Sequence, residues 1–133
     1  MTQANPHFIA IGGEPTIHRL AERFYHHMDT LEEARGIRAL HPPDLAPIRD
    51  VFARFLVEWL GGPPVYSSER GHPRLRRRHF PFPIGARERD AWMLCMHTAL
   101  TEVVPDEALR AALEAAFFRT ADFMRNQPEP PAV

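Results

Sequence analysis

Apolar residues recur three and four positions apart along most of this chain, and no stretch alternates as a strand would. Ile17, Leu20, Ala21, Phe24 and Met28 share one face, and Pro15 suits a first helical turn, which predicts a helix from about Pro15 to Met28. A shorter helical stretch, Leu31 to Leu40, is expected to stop at His41-Pro42-Pro43, because a residue before proline avoids the α region. Pro47 opens the clearest stripe, Ile48, Val51, Phe52, Phe55, Leu56 and Trp59, and Gly61-Gly62-Pro63-Pro64 closes it. A loop through Tyr66 to Pro73 follows. Arg74 to His79 then makes at most two turns before the Phe80-Pro81-Phe82-Pro83 breaker. Two long helices finish the pattern. One spans about Ala86 to Val103; the other starts after Asp106 and carries Leu109, Leu113, Ala116, Phe117, Thr120 and Met124. The proline-rich tail from Pro128 reads as frayed.

This is an all-α pattern, and 133 residues bound it to a single domain, 1–133. A formal net charge of −1 gives no global attraction to nucleic acid or to a membrane surface. No apolar run reaches the roughly 18 residues of a membrane span, and Met1 to Ile11 has no signal-peptide pattern, so the expectation is a cytoplasmic protein. Cys95 is the one cysteine, which rules out an internal disulfide and the Cys-x-x-Cys-His haem-attachment signature.

The two-turn segment contributes little core, so it reads as an element that presents something. His79 stands at its end with Leu75 one turn before, and Arg76, Arg77 and Arg78 fill the space between. A neutral imidazole there can approach a metal centre axially, and the arginines can pair with carboxylates. The residues alone leave two other readings open: a histidine favoured at a helix end by the macrodipole, and a basic patch for acidic partners. No His-Glu-x-x-His pair or zinc-finger spacing accompanies the other histidines.

Gly61-Gly62-Pro63, Tyr66-Ser67, Arg70-Gly71-His72-Pro73-Arg74-Leu75-Arg76, then Arg78-His79 and Pro81-Phe82 stand in an order that resembles the group II truncated haemoglobins. The continuation Glu88-Arg89-Asp90-Ala91-Trp92 with Cys95-Met96 resembles them as well, and the chain is compatible from about Phe8 to Asn126. The resemblance implies a truncated globin: a two-over-two α-helical sandwich, with the first and third long helices facing the last two, around one non-covalent haem b. It puts His79 at the proximal iron ligand and Trp92 at the group-defining distal tryptophan. Tyr25 falls on the distal tyrosine, His41 at the pocket edge, and Ile48 and Phe52 on distal positions of the third helix. By the same resemblance Arg78 and Tyr66 contact the propionates, while His72, Leu75, Phe82 and Phe55 join Phe52 and Trp92 around the cofactor.

Two positions depart from the family pattern. Phe52 stands where some relatives carry glutamine, and Ile48 where threonine, serine or alanine are common, so polar control of a ligand falls to Trp92, Tyr25 and His41. The function implied is reversible binding of O2, CO and NO. Nitric-oxide dioxygenation or peroxidase-like detoxification would use the same groups, and turnover would need a separate reductase. Monomer and homodimer are both compatible with the pattern.

Overall fold

The computed structural model describes residues 6–127. The tail from Pro128 lies outside the described residues. The helices are α1 (Pro6–Ile11), α2 (Gly13–Thr30), α3 (Arg35–Arg38), α4 (Ala46–Trp59), α5 (Ser67–Arg70), α6 (Leu75–His79), α7 (Ala86–Val103) and α8 (Glu107–Phe123), with a short 3₁₀ turn at Glu32–Ala34. No strand occurs among the described residues.

α2 is the centre of the assembly, packing on α4 along one side and on α7 along the other, while α7 also packs on α8. Ile17, Leu20, Ala21, Phe24 and Met28 of α2 are buried against Cys95, Met96, Ala99 and Leu100 of α7, with Leu56 and Val57 of α4 closing the core. Each fully buried large side chain contributes roughly 1.5–3 kcal/mol. The second pair of layers meets where Trp59 of α4 stacks on Phe117 of α8, ring centroids 4.8 Å apart. The first and third long helices therefore oppose the last two, as the resemblance implied.

The long helices follow the apolar stripes closely. α7 has the expected bounds, and its start is fixed by Glu88, whose carboxylate accepts the Gly85 N–H at 2.7 Å. Asp106 caps α8 by accepting from the Leu109 N–H at 3.1 Å. Gly61, just beyond α4, has φ +99°, the left-handed conformation expected of a helix-ending glycine.

Five points differ from the pattern read in the sequence. α1 carried too short a pattern to be foreseen. α2 begins at Gly13, two residues before Pro15, because the left-handed Gly12 breaks it from α1. The Leu31–Leu40 stretch divides into the 3₁₀ turn and α3, since Leu31 is extended and interrupts the helical path. The Tyr66–Pro73 loop contains α5, whose first residue is held from a distance: Ser67 N–H and Oγ–H both donate to Glu58 of α4, each at 2.9 Å. Arg74 stands outside α6, in a left-handed conformation at φ +46°.

Candidate functional site

Six of the residues singled out in the sequence come together as a continuous arc of rings. Tyr25 lies 5.6 Å from Phe52 and 6.1 Å from His41, in both cases edge to face. Phe52 in turn reaches Trp92 at 6.4 Å and Phe55 at 6.4 Å, and Phe55 meets Tyr66 at 5.7 Å. Phe24, buried behind them, touches Tyr25, Phe52 and Trp92 at 5.0–5.2 Å. The arc thus draws on α2, α4, α7, the corner after α3 and the start of α5. Ile48 packs against the same core from the first turns of α4. Phe52, Phe55, Trp92 and Ile48 are only half-buried despite being apolar, which leaves a face able to receive a flat apolar group.

The donor inventory of this arc is specific. Neither the Tyr25 hydroxyl nor the Trp92 indole N–H has a hydrogen-bond partner among the described residues. Tyr25 is 5% exposed, and burial raises its pKa well above the ordinary phenol value, so it stays protonated and keeps a donor. His41 differs. Its Nδ1 lies 2.8 Å from the Ile37 carbonyl, which needs a proton on Nδ1 and leaves Nε2 as an acceptor. Burial holds this imidazole below the usual histidine range, and the charge of Arg38 adds to that against the Ile37 bond, so the ring is neutral at pH 7. Arg38 fixes the corner on which His41 sits: it pairs with Asp29 at 2.8 Å and donates to the Pro42 and Pro43 carbonyls, each at 2.9 Å.

His79 ends α6, exposed and within electrostatic reach of His41. Its Nδ1 is 2.7 Å from the Leu75 carbonyl one turn back. Donation from Nδ1 leaves the Nε2 lone pair unspent, the arrangement that orients a metal-binding imidazole. His72 has the opposite tautomer, because its Nδ1 accepts the Arg74 N–H at 3.0 Å. Among the described residues no three His, Cys, Asp or Glu side chains are grouped to hold a metal ion by themselves. Leu75 is half-buried. Phe82 and Arg78 are exposed, with the Arg78 Nε–H donating to the Pro73 carbonyl at 2.9 Å. His72 has no ring contact with the aromatic arc.

Asn126 carried no signal in the sequence. Its side chain accepts the Ile84 N–H at 2.9 Å and donates to the Phe82 carbonyl at 2.7 Å, and its own N–H donates to the Ile84 carbonyl at 2.8 Å. One residue beyond α8 thus secures the breaker that follows His79. A polar residue past a helix end has no periodicity to mark it.

Residues 7–126 match the model of the bacterial-like globin family. The chain is a group II truncated haemoglobin of that family. This globin is similar to the group 2 truncated hemoglobin YjbI of Bacillus subtilis, 37% identical over 117 residues, covering 88% of this chain and 86% of the relative. The group II 2-on-2 hemoglobin from the plant pathogen Agrobacterium tumefaciens superimposes with a TM-score of 0.88 at 48% identity, over 92% of this chain and 95% of that one. A cold-adapted truncated hemoglobin from the Antarctic bacterium Pseudoalteromonas haloplanktis gives 0.89 at 42% identity, over 92% and 98%. Membership carries haem binding and haem-based binding of diatomic gases in general. In this globin, no helix among the described residues is long and apolar enough to cross a membrane.

Proposed function

We propose that the globin holds one haem b without a covalent link, with His79 as the protein ligand, and binds O2, CO and NO reversibly beside Tyr25, His41, Ile48, Phe52 and Trp92. The observation that carries this reading is the His79 tautomer: the Leu75 carbonyl takes the Nδ1 proton and leaves Nε2 free to bond a metal. A single imidazole is a sufficient protein ligand when a porphyrin supplies the other four nitrogens. The half-buried apolar faces of Phe52, Phe55, Trp92 and Leu75 suit a macrocycle, and Phe82 offers a further exposed apolar ring. Arg78 and Tyr66 take the propionates, and His72 joins the cofactor's surroundings. The only cysteine supports non-covalent binding, since Cys95 is fully buried in α7 and burial pushes its thiol up to about 11.

A haem held there by His79 would supply an iron centre for a diatomic ligand. The chain's own residues decide how long that ligand stays. Tyr25 and Trp92 hold unspent donors. Neutral His41 cannot donate to the ligand through Nε2 but can accept from Tyr25. Phe52 and Ile48 add apolar wall and exclude water.

The test is haem loading followed by resonance Raman spectroscopy of the ferrous protein. Wild type should show a Soret band and an iron–histidine stretch, and His79→Ala should lose that stretch. A stretch surviving unchanged in His79→Ala would overturn the ligand assignment, and wild type without a Soret band would overturn the haem reading itself.

A further inference from the structure

Charge in this chain is divided unevenly. Residues 70–87 contain Arg70, Arg74, Arg76, Arg77, Arg78 and Arg87 and no carboxylate, so the remaining ten arginines face all seventeen acidic residues of the chain. The near-zero net charge therefore conceals a basic segment set on an acidic body.

The contacts divide the same way. Outside the segment, Arg23, Arg35, Arg38, Arg54, Arg89 and Arg125 each pair with a carboxylate. Within it, none of the six arginines forms an ion pair among the described residues, and all six are exposed. Arg76 lies over the Phe123 ring at 5.3 Å, and Arg78 bonds the Pro73 carbonyl. The side chains of Arg70, Arg74, Arg77 and Arg87 make no internal contact of either kind. Two haem propionates can neutralise at most two of the six charges. Arg77 is two residues before His79 on α6, about 200° around the helix, so it points away from whatever His79 faces.

We infer that this arginine segment docks a small acidic electron-transfer protein, which delivers one electron to the haem. The inference rests on the haem reading above. The partner's reduced centre loses one electron and ferric iron becomes ferrous; no bond forms or breaks and no proton moves. Its place in the fold supports a redox partner, because the segment carries the iron's own ligand at its middle. Size supports a small protein over a polyanion. An extended nucleic acid or a membrane surface would reach past this 18-residue segment to the carboxylates that flank it, Glu69 on one side and Glu88 and Asp90 on the other, whereas a small acidic face can be matched to the segment alone. Unpaired charges of this kind raise encounter rates by about 10 to 1,000-fold and lose that effect with salt.

The experiment uses the haem-loaded protein and an acidic [2Fe–2S] ferredoxin, reduced for stopped-flow transfer and fluorescently labelled for anisotropy. The double variant Arg70→Glu/Arg77→Glu is compared with Arg119→Glu, an exposed arginine on α8 outside the segment. The double variant should lose about tenfold or more in both binding and transfer rate, wild type should weaken from low salt to physiological ionic strength, and Arg119→Glu should stay within about twofold of wild type. Salt-independent binding, or equal losses in the two variants, would overturn the proposal. So would duplex DNA or anionic phosphatidylglycerol vesicles binding more tightly than the ferredoxin with the same salt dependence. Failure of the haem reading has a separate signature, a missing Soret band. Anisotropy needs no haem, so it still decides the docking in that event.

Discussion

Trp92→Phe removes one hydrogen-bond donor from the ring arc and little else. Phe keeps a six-membered ring where the indole now meets Phe24 at 5.0 Å, Phe117 at 5.9 Å and Phe52 at 6.4 Å. Because the indole N–H has no partner among the described residues, the ligand-free protein loses no hydrogen bond, and its melting temperature should move only through the smaller ring. The loss appears when a negatively polarised ligand occupies the pocket. A hydrogen bond to a charged group is worth about 1.5–3 kcal/mol, a factor of roughly 10 to 150 in affinity. Stopped-flow release should place that factor in the O2 dissociation rate, with CO release nearly unchanged because bound CO carries little negative charge. Tyr25→Phe should do less, since the neutral His41 Nε2 competes for the tyrosine proton, and His41→Phe least, since His41 spends its own proton on Ile37. O2 release at the wild-type rate from Trp92→Phe, or a larger effect from Tyr25→Phe, would refute this ranking.

Other substitutions test the scaffold. Asn126→Ala leaves the Ile84 N–H without its side-chain acceptor, and haem transfer to an apoprotein acceptor should quicken about tenfold, roughly 1.4 kcal/mol; an unchanged rate would mean the breaker holds itself in place. Gly62→Ala would put a Cβ 2.5 Å from the Phe8 ring and 2.8 Å from the Val57 carbonyl, so denaturant titration should register a loss of about 1–3 kcal/mol. The His27 and Arg23 side chains on Glu102 tie α2 to α7 and hold that carboxyl below its usual value, so the stabilisation is present above pH 4.5 and fades as pH falls through the lowered value. The melting-temperature gap between wild type and Glu102→Gln should therefore narrow below about pH 4.5, and a gap equal at pH 3 and pH 7 would contradict it.

What the sequence disclosed depends on how local each signal is. Stripes such as Ile48 to Trp59 repeat over several turns, and Asp106 caps from three residues away, so the long helices were readable, with the bounds of α7 exact and those of α2 two residues short at each end. His79 stood out because breakers isolate it. α5 did not, because the Glu58 side chain that caps it belongs to another helix. The roles of the polar site residues were hidden for the same reason. Whether a histidine donates or accepts is set by the carbonyl or N–H its ring happens to meet, Ile37 for His41, Leu75 for His79 and Arg74 for His72. Composition cannot express that choice.

The bonds from Asn126 reach back 42 residues to Ile84 and 44 to Phe82, across all of α7 and α8. A chain emerging from the ribosome presents His79 long before it presents Asn126. During synthesis the turn after the imidazole therefore lacks its lock, and α6, only five residues long, is too short to persist as an isolated helix. The apolar faces of α2, α4 and α7 have all emerged before Asn126, so the bonds that fix the turn after His79 are the last of these contacts to become available. A chain stopped short of residue 126 would keep most of its core while leaving the turn after His79 without these bonds.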